Sequence, residues 1–131
     1  MPYQIEWYVP NRVLMIRCWG EYANEDVPVM SQEVLKHTRT APQPVHLLVD
    51  ARELTRLPTS YASLIKELNT FNRESSLGWS VLVTDQGLNR LYKLLPANVV
   101  RRPVVALTEW SGVHQALLQA DASLHASLPN F

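Results

Sequence analysis

The run Val45-His46-Leu47-Leu48-Val49-Asp50, almost wholly apolar and preceded by Pro42 and Pro44, constrains this chain most. A short apolar run bounded by breakers is the pattern of a strand buried on both faces. Such strands belong to parallel sheets with helices packed on either side. The segment is therefore read as the central strand of a layered α/β domain.

The flanking segments supply the layers. Tyr3 to Val9 alternates, with Tyr3, Ile5, Trp7 and Val9 expected on one face, and Val13 to Trp19 is apolar almost throughout. Pro10-Asn11 joins the two as a hairpin, Gly20 closes the second strand, and its apolar content implies burial on both faces. Asn24-Glu25-Asp26 is placed to cap a helix with Pro28 in its first turn and Val27, Met30, Val34 and His37 or Thr38 facing inward. Ala41-Pro42-Gln43-Pro44 ends it.

Beyond the central strand, Pro58-Thr59-Ser60 opens a second helix, with Tyr61, Leu64, Ile65, Leu68 and Phe71 at helical spacing. Gly78 introduces a strand over Trp79 to Thr84, and Asp85 caps a third helix carrying Leu88, Leu91, Leu94 and Leu95. After Arg102-Pro103, Val104 to Leu107 is the last strand. Thr108-Glu109 starts a fourth helix with Val113, Ala116, Leu117 and Ala120 inward. The order ββαβαβαβα predicts a mixed sheet of five strands, opened by an N-terminal β-hairpin, with four helices. Residues 1–122 are read as one domain and residues 123–131 as a C-terminal tail.

At 131 residues, 47% of them apolar, the chain is large enough to bury a core without a metal or disulfide. Cys18, the single cysteine, lies inside an apolar run and is read as a packed hydrophobe. The start Met1-Pro2-Tyr3-Gln4-Ile5-Glu6 lacks the pattern of a signal peptide, and no run approaches the roughly 20 apolar residues of a membrane span. A cytoplasmic protein is expected. Twelve basic residues balance twelve acidic ones, which offers no general field for nucleic acid and is compatible with a homodimer.

The hairpin with Val13-Leu14-Met15-Ile16 and Gly20, the segment Pro44 to Asp50, Leu57-Pro58 before a helix, Gly78 to Thr84 and the closing Val104 to Leu118 together resemble bacterial STAS-like domains. These are the SpoIIAA-like family related to the anti-sigma-factor antagonists, and the likeness spans nearly the whole chain. It implies a non-catalytic, regulatory protein-interaction module with an unidentified protein partner. In that family a phosphorylatable Ser or Thr stands at the N-terminus of the helix after the central strand. The matching turn here is Leu57-Pro58-Thr59-Ser60-Tyr61, with Pro58 where the family has Asp and no Gly shortly after. Thr59 and Ser60 are thus the candidate phosphosite. Some relatives are suspected of binding lipids or small ligands, so the alternative expectation is a carrier with a pocket between helices and sheet for a small apolar ligand or lipid.

Read from the residues alone, Thr59 and Ser60 suit either a helix cap or an anion site at a helix N-terminus. Asp50, at the carboxyl end of its strand, stands where open α/β sheets place ligand crevices, or bonds loop amides between Ala51 and Leu54. His46 faces the same side but is about 13 Å away along the strand, too far to pair with it. Arg90, Lys93, Arg101 and Arg102 form an acid-free stretch that serves as a basic partner surface or a solvated face. Trp19 and Trp79 are expected to close the core, whereas Trp7, Tyr8 or Trp110 would be contact anchors if exposed. His37, His46, His114 and His125 show no metal-ligand spacing, and no nucleophile motif or glycine-rich phosphate loop is present, so no catalytic residue, metal or cofactor is assigned.

Overall fold

The computed structural model describes residues 2–56, 74–84 and 104–129. Among them run β1 (Tyr3–Val9), β2 (Val13–Glu21), α1 (Val27–Thr38), β3 (Val45–Arg56), β4 (Leu77–Val83), β5 (Val104–Leu107) and α2 (Val113–Ala120). The sheet order is β1-β2-β3-β4-β5. β1 and β2 are antiparallel, and every later neighbour is parallel. The hairpin turns on Asn11 at φ 61°, a conformation asparagine tolerates better than most residues. The described residues hold two α-helices, against the four expected. The expected second and third helices, beginning at Pro58 and Asp85, lie outside the described residues.

Alternate residues of the strands divide two cores. Leu14, Ile16, Val45, Leu47 and Leu77 pack with Val34 and Leu35 of α1. Val13, Met15, Leu48, Val81 and Val83 pack with Val113, Ala116 and Leu117 of α2. Each fully buried Leu or Val contributes about 1.5–3 kcal/mol of transfer free energy, so Leu14, Leu48 and Leu117, with no measurable exposure, hold the two layers on the sheet. A third cluster joins Cys18, Ala51 and Leu82 with Tyr3, Val49 and Leu54, and the Cys18 thiol is buried.

Several expectations require correction. β3 does not stop at Asp50 but continues to Arg56, because its backbone keeps pairing with β2 through two irregularities, Trp19 opposite Glu53 and Glu21 opposite Arg56. Arg52, Glu53 and Thr55 break the apolar run there and conceal this, while Ala51 stays buried. β2 is buried from Val13 to Ile16, but Arg17 and Trp19 are exposed. Val9 does not share a face with Ile5 and Trp7. A register shift between Trp7 and Val9 moves Val9 into the α2 core. Asp26 stands at the N-cap of α1, yet its side chain makes no capping bond. Within residues 121–129, Ala122–Ala126 form a short 3-10 helix that buries Leu124 in the α2 core.

Candidate functional site

Asp50 is the one predicted site residue among the described residues. Thr59, Ser60, Arg90, Lys93, Arg101 and Arg102 lie outside them. The Asp50 carboxylate, 4% exposed, accepts a two-pronged bond from Arg52, with Nε to Oδ1 and Nη2 to Oδ2 both at 2.9 Å. The Arg52 backbone N–H also donates to Oδ1, at 3.3 Å. This realises the expected bond to a main-chain amide, made within a strand instead of a loop. Burial pushes the Asp50 carboxyl up, but the Arg52 fork, the Arg52 N–H and the nearby Arg17 charge together hold it below its ordinary value. A carboxylate so engaged is a poor proton acceptor at neutral pH.

Arg52 is fixed on its other side as well. Its guanidinium carbon lies 4.9 Å from the centre of the Trp110 ring, a cation–π contact. Trp110 meets Tyr8 edge-on, and the Tyr8 hydroxyl lies 2.6 Å from Nε2 of His114. Burial lowers the His114 pKa and raises that of Tyr8, keeping both neutral near pH 7. Tyr8 and Trp110 are half-buried and spent on packing, as is Trp7, which meets His37 edge-on.

Among the described residues the exposed large aromatic is instead Trp19, expected to close the core but 36% exposed. It follows Arg17 by two positions, so both project from one face of β2. Arg17 approaches Asp50 only through Nε at 3.6 Å, beyond hydrogen-bond reach, and its side chain is 45% exposed. Sequence reasoning missed this pair because a Trp ending an apolar run ordinarily reads as core. The available signal was the charged Arg17 at period two before it.

At the opposite end of the sheet a second polar cluster closes the fold. The Trp79 N–H donates to His46 Nδ1 at 3.0 Å, and His46 Nε2 lies 3.3 Å from Asp121 Oδ2. Asp121 also accepts from Arg12 at 2.7 Å and from the Ser123 hydroxyl and N–H. The Ser123 hydroxyl leads these bonds in holding the Asp121 carboxyl well below its ordinary value, with His46, Arg12 and the Ser123 N–H assisting against burial. The imidazole and carboxylate look like an acid–base pair, but both ring nitrogens and both carboxylate oxygens are engaged. Their work is to tie residues 121–124 to the starts of β2, β3 and β4. Among the described residues no group of three or more His, Cys, Asp or Glu is arranged to hold a metal. No described helix is long and apolar enough to cross a membrane.

The antiparallel hairpin feeding a parallel run in sequential order, with α1 and α2 on its two cores, is a SpoIIAA-like, or STAS-like, fold. In particular the chain is similar to the crystal structure of an uncharacterized protein of the DUF3478 family from Shewanella loihica, itself described as SpoIIAA-like, with a TM-score of 0.61. The likeness covers 88% of this chain and 92% of the other at 14% identity, so it speaks to fold alone. No family model and no curated protein matches the chain.

Proposed function

We propose that this chain is a non-catalytic interaction module of regulatory type, docking through the face formed by the carboxyl ends of β2 and β3. The observation that carries this reading is Trp19, an indole over a third exposed on β2, beside an Arg17 guanidinium held only by a long ion pair to Asp50, whose oxygens Arg52 already engages. Tryptophan and arginine are the residues that most often dominate binding energy at protein interfaces. The neighbouring Asp50 and Arg52 are already satisfied by each other and act as a rigid floor. In this reading the partner is a protein, a second copy of the chain included, and the setting is a bacterial cytoplasm. Thr59 and Ser60 follow β3 closely in sequence and are the positions at which a phosphate would switch docking, by adding about −2 charge. Arg90, Lys93, Arg101 and Arg102 would extend the contact surface.

The test is site-specific photocrosslinking in cells, with the crosslinker at position 19 and, as control, at Val29, which is 58% exposed on α1. Discrete protein adducts at position 19 and none at position 29 are expected. Equal labelling at both positions removes the support for a docking face. Lipid recovered by mass spectrometry from natively purified protein, with no adducts, replaces this reading with the carrier.

A further inference from the structure

Trp19, Arg17 and Glu53 stand in a diagonal relation that suits one occupant better than any other. Trp19 pairs in register with Glu53, and Arg17 with Asp50, so Arg17 and Glu53 flank the indole on adjacent strands. Strand spacing and rise place their Cα atoms roughly 8 Å apart. All three are exposed. Arg52 takes the Asp50 fork and leaves Arg17 only a long ion pair with Asp50, Nε to Oδ2 at 3.6 Å, while Glu53 acts on the Arg52 charge without forming a close ion pair among the described residues. The face therefore carries one loosely held cation and one loosely held anion, on either side of an exposed apolar ring.

From this we infer that the face is self-complementary and that its occupant is a second copy of this chain, bound about a two-fold axis. The inference rests on the docking reading above and names its partner. A two-fold axis lying in the plane of the face, set so that Arg17 of one copy covers Glu53 of the other, satisfies both ion pairs at once, because an isologous contact repeats each pair. By the same spacing that axis passes within about 2 Å of Trp19. The two indoles meet at the centre, ringed by two Arg17–Glu53 pairs. A strongly charged partner or an anionic membrane fits less well. Among the described residues Arg17 and Arg52 are offset by Asp50 and Glu53, and the whole chain has zero formal net charge.

Sedimentation equilibrium on the full chain tests this. The wild type is expected to dimerise, and Trp19→Ala to weaken the dimer about tenfold or more, as loss of a central tryptophan does. Arg17→Glu and Glu53→Arg should each give monomers, because each places like charges together twice. Mixed in equal amounts, those two variants should form a heterodimer, since both crossed pairs are then restored. Arg17→Gln serves as a milder variant, expected to weaken the dimer several-fold while circular dichroism and the thermal midpoint stay as in the wild type. A wild type that remains monomeric at millimolar concentration overturns self-docking, and position-19 adducts to other proteins would still uphold the docking reading. A dimer indifferent to all three positions overturns this face. Monomeric single variants that fail to combine overturn the charge pairing.

Discussion

The backbone N–H of Trp79 donates to Nδ1 of His46 at 3.0 Å, and this bond fixes the neutral imidazole proton on Nε2, where it faces Asp121. The arrangement depends on Gly78. A Cβ at that position would lie 2.6 Å from His46 Nδ1 and 2.9 Å from Cε1. The register shift between Val45 and Leu47 opposite this stretch of β4 turns the Trp79 N–H toward the ring. One irregularity in a strand, one glycine and one buried histidine thus seat the C-terminal segment.

Gly78→Ala should destabilise the protein by about 1–3 kcal/mol, the usual cost of overpacking a rigid site. His46→Ala should cost about 1–3 kcal/mol by stranding the Trp79 N–H. Together they should cost less than their sum, because the alanine methyl then has room. Urea unfolding of the four proteins measures the coupling. Strict additivity would show that the contact is not what demands glycine.

Acid should unfold the domain through two named carboxylates. Asp50 and Asp121 both have folded pKa values below their unfolded ones. Their contributions are fully present above the unfolded value near 4 and are lost as pH falls below it toward the folded value. Asp50→Asn should flatten the stability profile between about pH 5 and pH 2. An unchanged slope in that window would show that Arg52 does not stabilise the ionised form.

His114 acts in a higher window. Its folded pKa is lowered by burial, so the neutral form is favoured and stability falls as pH drops below the ordinary histidine value near 6.5. NMR titration of the His114 ring should give a midpoint below that of a free histidine. A midpoint above it would mean that the ring nitrogen facing Tyr8 holds a proton in the fold.

Leu124→Ala should cost about 2–5 kcal/mol, as for other fully buried leucines, and should raise hydrogen exchange through residues 121–128. Denaturant melts with exchange mass spectrometry read both. A cost under about 0.5 kcal/mol, typical of surface positions, would show that Leu124 does not pack into the core in solution.

The apolar grammar of the chain determined the layers. The run Val45 to Val49, the alternation of Tyr3 to Trp7 and the stripe of Val27, Met30 and Val34 each act locally, through burial periodicity and breakers, and are legible without a third dimension. The hairpin followed by parallel strands is set by connection lengths for the same reason. What only the tertiary structure decided are the places where strand pairing departs from regular period. There Val9 changed face, β3 ran on to Arg56 and the Trp79 N–H found His46. The partner of Asp50 stood two residues away, yet nothing in the sequence distinguished it from the other arginines. Asp121 and His46 met across 75 positions. Trp19 stands 36% exposed although it ends an apolar run, because exposure is set by how layers are placed and not by any one segment.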